Sequence, residues 1–413
     1  MADQLGQASL NEGHIATPFL DSLAESGRVY QQAYCSFPLC TPSRSSMLTG
    51  KMPHQLGAMG NDQHDNRVGT DPNSMGHWFA KHGYRTVWAG KYHAPSPDCD
   101  PDAGFEIIHP FGDAGLLEKV SAFLEEASPD EPFLLIASWD DPHSICEYAR
   151  NQPMPYGDIQ PQDTRDCPPL PANFFTPQPL AMRKHKETTA AMYGTEEYTP
   201  QQWRHYRSVY AQLVERLDQQ WAKLAVRLRQ LGVTVVVTSD HGDGDAAHGW
   251  NQKTSLIQES IHVPLVVAGP SIEAEQISRP VNVSMGLLGA LCDLAGIESP
   301  PDVPSWSEDE PVVVQTRFRC SAGWGQGRAI IDGRYKYVVY TWGKDREQLF
   351  DVIDDPRELR NLAEESAFDE TLEQMRQKLF DWCRANDDNF MVRKLVWPKT
   401  AADMHQEIFD PPY

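Results

Sequence analysis

Long apolar runs are absent from this chain of 413 residues. No stretch of 18 or more apolar residues occurs, so we predict no transmembrane helix. Basic residues are scarce as well: 36 lysines and arginines stand against 58 aspartates and glutamates, a formal net charge of −22. A surface of this sign repels nucleic acids and anionic membranes, and we expect neither as a partner.

Paired cysteines are also missing. None of the eight cysteines belongs to a Cys-x-x-Cys pair, which argues against zinc ribbons and dithiol redox motifs. We expect some of these cysteines to be buried apolar residues. What the sequence does contain is 40% hydrophobic residues and 11 tryptophans, a composition typical of a folded globular protein.

Strands and helices are predicted to alternate through the first 300 residues. Apolar residues recur at helical spacing from 201 to 231, and the proline-rich residues 144–200 predict an irregular surface segment near the active-site rim. The alternation predicts an α/β fold with a mostly parallel central sheet flanked by helices. Four apolar, β-rich runs predict its buried strands: residues 84–89, 133–138, 233–239 and 263–268.

A change of character after residue 300 predicts a second unit. Pro300 and Pro301 open a linker, and residues 332–334, Asp-Gly-Arg, separate two short β-rich runs as in a hairpin. A further helix is predicted over residues 369–385. We therefore expect an α/β domain of residues 1–300 and a C-terminal α+β subdomain of residues 301–413, with a small antiparallel sheet and a helix.

Five polar motifs carry the residues best suited to catalysis. Most of them follow predicted strands, and the carboxyl ends of parallel strands meet at one edge of a sheet, where active sites of this fold class lie. We therefore expect the motifs to converge on one site. They are CTPSRSSMLTG at 40–50, AGKYH at 89–93, DPH at 141–143, SDHGD at 239–243 and HGWNQK at 248–253.

The first motif resembles the signature of the type I, formylglycine-dependent sulfatases, which belong to the alkaline phosphatase-like superfamily. The matching positions include Cys40, Pro42, Arg44 and Thr49. The resemblance implies that Cys40 is oxidised to formylglycine, whose aldehyde hydrate attacks a sulfate ester, and that Arg44 braces this nucleophile. Pro42 and the small residues after it suit a turn into a helix N-terminus, which favours anions.

The same resemblance implies roles for the basic residues of the other motifs. Lys91 binds the nucleophile and the sulfate, and His93 takes a proton when the hydrate collapses. His143 protonates the leaving group, with Lys253 as its electrostatic partner, so that Lys91, His143 and Lys253 all bind substrate. His248 is a weaker substrate-binding candidate, which either lines the pocket or caps its loop.

One calcium ion is implied at the same place. Asp240 follows a predicted strand, where a metal ligand belongs in this fold class, and Asp3, Gln4 and Cys40 are the further ligands that the resemblance implies. His241 either binds the ion through nitrogen or contacts the nucleophile or the sulfate, because imidazole is an uncommon ligand for calcium.

The start of the chain departs from the family pattern. Relatives begin with an apolar strand that delivers two adjacent acids to the metal, whereas Asp3-Gln4 stands here without such a strand. We therefore expect the first strand of the sheet to be missing. Residues 1–6 have neither the basic start nor the apolar stretch of a secretory signal, so localisation cannot be read from them. His262 stands where relatives often carry arginine or lysine, and a structural role is the simpler expectation for it.

These features predict a calcium-dependent sulfuric ester hydrolase acting on a sulfated small molecule or saccharide, with a formylglycine-generating maturation enzyme as partner. A carbohydrate substrate is favoured by its frequency in the family and by tryptophan- and tyrosine-rich loops that can stack on sugars. Two alternatives stay open. The Asp3-Gln4 pair also resembles phosphonate monoester and phosphodiester hydrolases, which use the same nucleophile. A catalytically inactive binding homologue would keep the fold without maturing Cys40.

Overall fold

The computed structural model describes residues 1–61, 68–94, 100–307, 310–320 and 323–390. The other residues, among them 391–413 of the expected C-terminal subdomain, lie outside the described part. The strands within these ranges are β1 (Arg28–Tyr34), β2 (Arg85–Gly90), β3 (Glu106–His109), β4 (Phe133–Ser138), β5 (Val235–Thr238), β6 (Leu265–Ala268), β7 (Glu275–Asn282), β8 (Val312–Cys320), β9 (Gly323–Asp332), β10 (Tyr335–Tyr340) and β11 (Glu347–Asp351).

The helices are distributed along the whole described chain. They are α1 (Gln7–Leu10), α2 (Pro18–Ser26), α3 (Cys40–Thr49), α4 (Pro53–Leu56), α5 (Met75–Lys81), α6 (Leu116–Glu126), α7 (Ile145–Ala149), α8 (Leu180–Tyr193), α9 (Pro200–Ala222), α10 (Ala225–Leu231), α11 (Gln258–Ile261), α12 (Val283–Ala295) and α13 (Asp369–Ala385). No helix in the described ranges is both long and apolar enough to cross a bilayer.

The α/β layer consists of two sheets. In the first, of order β3-β2-β4, both strand pairs are parallel. In the second, of order β5-β6-β1-β7, β6 runs antiparallel to both of its neighbours, while β1 and β7 are parallel. Helices pack against these strands, with α5 and α6 on β2 and α2 on β6. The α/β architecture expected from the sequence is confirmed, with β6 as the antiparallel exception.

Residues 1–3 lie between the two sheets. The ammonium group of Met1 donates a hydrogen bond to Ala137 O at 2.8 Å, and the N–H of Trp139 donates to Met1 O at 2.9 Å. On the other side, the N–H of Ala2 donates to Thr238 O at 2.9 Å. These residues therefore join the carboxyl end of β4 to that of β5, the edge at which the polar motifs meet.

The long α9 helix is fixed by its local sequence and by its apolar face. Thr199 caps it, its hydroxyl accepting from the N–H of Gln202, and Pro200 occupies the first turn, where a missing N–H costs nothing. The single helix expected over 201–231 is divided, because α9 ends at Ala222 and α10 begins at Ala225. The segment 144–200, expected to be irregular, also contains α7 and α8.

A four-stranded antiparallel sheet of order β11-β10-β9-β8 forms the C-terminal part. The predicted hairpin is present: β9 and β10 are joined by a turn in which Gly333 has φ +58°, a conformation that favours glycine. Helix α13, whose range agrees with the sequence prediction, packs on this sheet through Leu372, Met375 and Leu379. The boundary at residue 300 stays a prediction.

Buried cysteines are also as expected. Seven of the eight lie in the described ranges, and all seven are buried free thiols: Cys35, Cys40, Cys146, Cys167, Cys292, Cys320 and Cys383.

Gly90, the last residue of β2, offers a test of how tightly the strand end is packed. It has φ +88°, and a Cβ added there would lie 2.1 Å from Ser138 O on β4. Gly83 has nearly the same φ of +86°, with no atom within 4 Å of its added Cβ. We expect Gly83→Ala to lower the free energy of unfolding by about 1–2 kcal/mol through backbone strain alone. Gly90→Ala should cost at least about 1–3 kcal/mol more through the clash, as measured by guanidinium denaturation. Equal losses in the two variants would show that the close packing of β2 on β4 is absent.

Candidate active site

Helix α3 begins with Cys40, whose side chain is completely buried. Every residue of the helix from Cys40 to Thr49 is buried, and the helix ends before Gly50 in the left-handed conformation with φ +67°. The Cys40 side chain therefore lies in the first turn, where the unpaired backbone N–H groups and the helix dipole favour negative charge. Pro42 fits the first turn because no intrahelical hydrogen bond is lost there.

Four side chains that can ligate a metal converge on this point. One ligand atom from each of Asp3, Cys40, Asp240 and His241 lies within 4.8 Å of the others, and all four residues are buried. His241 Nε2 is 3.3 Å from Cys40 Sγ, 3.8 Å from an Asp3 oxygen and 3.7 Å from an Asp240 oxygen. Asp240 lies two residues beyond the end of β5, near the strand end as the sequence predicted, while Asp3 belongs to the segment between the sheets.

Three cations surround this cluster. Arg44 donates from Nε to Asp240 at 2.6 Å and from Nη2 to Asp3 at 3.0 Å. Lys91 Nζ lies 2.8 Å from the same Asp3 oxygen, Oδ2, that accepts from Arg44. Lys253 Nζ lies 3.1 Å from Cys40 Sγ. Each of these residues was predicted from its motif, and the fold brings all three to one place.

The electrostatics of the cluster favour ionised groups. Burial and the charge of Asp3 raise the pKa of the Cys40 thiol, but Lys253, Lys91 and His241 together outweigh them and hold the pKa well below its usual value. Burial likewise raises the pKa of Asp3, but Lys91, His143, Arg44 and Lys253 together outweigh burial and hold that pKa well below the usual range. The pKa of Lys91 is lowered by burial, yet the neighbouring carboxylates raise it well above its ordinary value.

The residues present fit a divalent cation. Burial and the charge of Asp3 together raise the pKa of Asp240, the effect expected when two carboxylates share a site without a full complement of positive charge. His241 Nδ1 is 2.9 Å from the carbonyl oxygen of Gly242. A carbonyl only accepts, so Nδ1 carries the proton and the lone pair of Nε2 faces the cluster, as a metal ligand requires.

His143 stands at the open side of the site. Its side chain is 23% exposed, whereas that of Lys91 is 3% exposed. Burial lowers the pKa of His143, but electrostatic interactions with Cys146 and Asp3 raise it well above its usual value. The His143 side chain is therefore partly open to solvent, unlike that of Lys91.

Sequence reasoning missed Asp140 as a member of the site. Its carboxylate lies 2.8 Å from Lys91 Nζ and 4.0 Å from His143 Nδ1, and it accepts a hydrogen bond from the Tyr156 hydroxyl at 3.1 Å. The signal was available, because Asp140 directly precedes the motif that contains His143. Asp113 accepts the backbone N–H of Asp140 at 2.6 Å, a contact across the fold that nothing in the sequence indicated.

Asp243, which holds the Gln4 side chain, was also not predicted from the sequence as a member of the site. The amide oxygen of Gln4 lies 3.1 Å from Lys253 Nζ, and its Nε2 donates to Asp243 at 2.5 Å. The Tyr206 hydroxyl donates to the same carboxylate at 2.9 Å, and burial raises the pKa of Asp243 to about 6. Gln4 therefore lies beside the nucleophile position with its oxygen on Lys253, and its role as a metal ligand stays a prediction.

Three further histidines were singled out from the sequence: His93, His248 and His262. Nδ1 of His93 is buried and has no hydrogen-bond partner among the described residues, so its catalytic role stays a prediction. His248 is 3.0 Å from Thr176 O and lines a cavity of about 410 Å³ beside α8, contacts that suit either of the two roles expected for it. His262 contacts Gln31 O at 2.9 Å and packs against the Tyr34 ring, as expected of a structural residue.

Comparison with known proteins agrees with this geometry. The Sulfatase family model matches residues 1–106 and 109–297, and a model described as the C-terminal part of N-sulphoglucosamine sulphohydrolase matches residues 246–385. The chain belongs to the sulfatase family. It is a sulfuric ester hydrolase of the alkaline phosphatase-like superfamily, as the five motifs predicted.

Individual relatives span nearly the whole chain. It is 29% identical to the Delta 4,5-hexuronate-2-O-sulfatase of Bacteroides thetaiotaomicron, over 91% of this chain and 85% of that protein. It matches a solved 2-O GAG sulfatase at 25% identity and a TM-score of 0.82, covering 97% of this chain and 94% of the other. The phosphonate monoester hydrolase of Agrobacterium radiobacter shares the fold, with a TM-score of 0.72, 18% identity and coverage of 96% and 97%.

Proposed function

We propose that this sulfatase removes sulfate from a saccharide, with a formylglycine derived from Cys40 as nucleophile and one Ca²⁺ held by Asp3, Asp240 and His241. The observation that carries the proposal is the position of Cys40. Its Sγ lies 3.1 Å from Lys253 Nζ and 3.3 Å from His241 Nε2, at the start of a buried helix. On conversion of Cys40 to formylglycine, an oxygen of the hydrated aldehyde would take the place of this sulfur.

The names of the relatives support a sugar substrate. The Bacteroides relative is a hexuronate-2-O-sulfatase and the solved structure with a TM-score of 0.82 is a 2-O GAG sulfatase. The phosphonate monoester hydrolase shares the fold at 18% identity. A likeness in fold at this identity says nothing about the substrate of the present protein. We therefore propose a 2-O-sulfated uronate as the first substrate to test.

Formylglycine supplies a geminal diol, an oxygen nucleophile that a thiol cannot replace in sulfate transfer. The residues around it have two roles: one fixes the metal ligands, and the others supply positive charge. Arg44 joins the carboxylates of Asp3 and Asp240, at 3.0 and 2.6 Å, and so fixes the ligands that would hold the ion. Lys91 and Lys253 supply positive charge beside the attacked sulfate, where such charge stabilises the transition state.

The local charge also explains how a protein of net charge −22 takes an anionic substrate. Arg44, Lys91 and Lys253 balance the buried carboxylates of Asp3, Asp140 and Asp240. A divalent cation in this balanced cluster leaves it positive. Because the surrounding side chains exclude water, that positive field acts on a bound sulfate with little screening.

We propose His143 as the acid that protonates the leaving sugar oxygen. It is the partly exposed member of the site, its pKa is raised by Cys146 and Asp3 despite burial, and a sugar alkoxide is a poor leaving group that needs a proton. Asp140, 4.0 Å from His143 Nδ1, orients the ring. The proton passes from His143 to the bridging oxygen as the sulfur–oxygen bond breaks.

The primary experiment is turnover of a 2-O-sulfated unsaturated uronate beside an aryl sulfate, an aryl phosphonate and an aryl phosphodiester. The protein is co-expressed with a formylglycine-generating enzyme, and mass spectrometry follows the replacement of sulfur by oxygen with loss of two hydrogens at Cys40. We expect the sulfated sugar to be the best substrate. Preferred cleavage of the phosphonate or phosphodiester would refute the proposal in favour of that hydrolase class. Absence of turnover with Cys40 unconverted would favour the inactive binding homologue.

Cys40→Ala should lose at least about 1000-fold in kcat/KM, because the nucleophile is gone. Cys35→Ala is the matched control: Cys35 is an equally buried free thiol outside the cluster, and its removal should leave turnover within a few fold. Full activity in Cys40→Ala would overturn the mechanism.

His143→Ala should reduce turnover of the sugar sulfate by about 100-fold or more, the contribution of a positioned general acid. An aryl sulfate with an activated leaving group should lose much less, because its phenolate departs without a proton. His205→Ala, on the half-buried surface of α9, controls for loss of an imidazole. Equal losses on both substrates would argue against the acid role.

Calcium should raise the thermal midpoint of the protein. Ligand at 100 times its dissociation constant stabilises a fold by about 2.7 kcal/mol, measurable by differential scanning fluorimetry without any substrate. Asp240→Asn removes a charged ligand and should abolish the shift, whereas Asp163→Asn, at a 77% exposed side chain, should retain it. A shift preserved in Asp240→Asn would place the ion elsewhere.

A further inference from the structure

A 2-O-sulfated uronate, the substrate proposed above, carries a carboxylate as well as a sulfate. The two groups lie on opposite sides of the sugar ring, so the cations that bind the sulfate cannot also neutralise the carboxylate. Arg44, Lys91 and Lys253 are at most 6% exposed and surround the position of the nucleophile. A carboxylate taken out of water without a partner weakens binding. The site therefore needs a further cation, nearer to solvent.

Helix α7 leads from the active site to such a cation. In its first turn Cys146 Sγ accepts from Gln252 Nε2 at 2.8 Å and lies 3.9 Å from His143 Nε2. At its other end the N–H of Arg150 donates to Cys146 O at 3.2 Å, and Arg150 keeps the right-handed helical conformation. Residues four apart are neighbours on one side of a helix. The Arg150 side chain therefore begins one turn beyond Cys146, on the side of α7 that contacts the site.

Tyr193, at the end of α8, holds this arginine beside the site. The guanidinium carbon of Arg150 lies 4.2 Å from the centroid of the Tyr193 ring, a cation–π contact. Burial and electrostatic interactions with Cys146 and Cys40 raise the pKa of Tyr193 to about 12, against the opposite effects of Lys253 and Arg150. The phenol is therefore within electrostatic reach of the nucleophile position, and Arg150 is packed against it.

The donors of Arg150 are available to a ligand. Its side chain is 30% exposed, and its Nη1 lies 3.5 Å from a Glu147 oxygen that belongs to a 26% exposed side chain. An accessible pair at this distance contributes little to stability, so a substrate carboxylate can displace Glu147. Arg216, of similar exposure at 24%, is different. It donates to Asp141 at 2.7 and 3.0 Å and to Tyr156 O at 2.9 Å, so its donors are occupied.

We propose that Arg150, held by Tyr193, binds the carboxylate of the sugar whose 2-O-sulfate reacts at residue 40, and so selects uronates over neutral sugars. This inference rests on the proposed function, because it names the group that recognises the second charge of the same substrate. A guanidinium fork can donate two parallel hydrogen bonds to a carboxylate. Contact with the Tyr193 ring restricts the fork before the substrate arrives, which lowers the cost of ordering it on binding.

The test measures kcat and KM for a 2-O-sulfated unsaturated uronate and for its methyl ester, which keeps the sulfate and the ring but has no carboxylate charge. The formylglycine-containing enzyme should prefer the acid by at least about tenfold in kcat/KM. Arg150→Gln should raise KM for the acid by about 10–100-fold, the effect of losing charge-assisted hydrogen bonds, and should bring the acid-to-ester ratio close to one.

Two further variants calibrate this result. Arg150→Lys should retain part of the preference for the acid, because the charge stays while the fork is lost. Arg165→Gln is the matched control: its side chain is 82% exposed and pairs with Asp163 and Asp166, and its removal should leave the acid-to-ester ratio of the parent enzyme.

Two results would overturn the inference and leave the proposed function intact. One is a parent enzyme that cleaves the acid and the ester equally well. The other is an Arg150→Gln variant that loses activity equally on both, as replacement of a merely structural residue would do. A parent enzyme that hydrolyses an aryl sulfate but neither uronate contradicts the proposed substrate itself, and the inference with it. A preference for the acid that Arg150→Gln removes and Arg150→Lys partly restores supports the inference.

Discussion

The bidentate contact of Arg44 with Asp3 and Asp240 is the interaction on which the site depends. The guanidinium joins three separate parts of the chain: helix α3, the segment between the sheets and the end of β5. It also donates to Lys91 O and to the Ser138 hydroxyl, at 2.8 and 2.9 Å, so the ends of β2 and β4 are tied to the same group. An arginine fork suits this task because its donors are planar, rigid and always charged.

Burying the charged groups around Arg44 has a desolvation cost that opposes folding. Buried ion pairs stabilise little once desolvation is counted, and removing one partner leaves a charge uncompensated. These buried charges lie at the candidate active site. Fixed cations and carboxylates balance one another inside a protein of net charge −22, and groups held in place in this way need no reorganisation when a charged ligand binds.

The C-terminal part supports the same site from outside. The buried Lys336 of β10 pairs with Glu358 and donates to Leu256 O at 2.6 Å, three residues beyond Lys253. Arg357 reaches Glu259 at 2.9 Å. The loop that carries Lys253 is therefore pinned by the antiparallel sheet, which gives that sheet a function in positioning although it contributes none of the predicted catalytic residues.

The sequence by itself determined the local features: the strands after which the motifs lie, the helix at 369–385, the hairpin around Gly333, and the side chains with chemistry in Cys40, Lys91, Asp240 and Lys253. These follow from periodicity, turn residues and motif spacing, which act over a few residues. Only the tertiary structure decided that Asp140 faces Lys91, that Asp243 accepts from Gln4, and that Tyr206 donates to the same Asp243 carboxylate. Those contacts join residues from 37 to 239 positions apart, and a pairing over such distances is set by how whole elements pack. No local pattern records it.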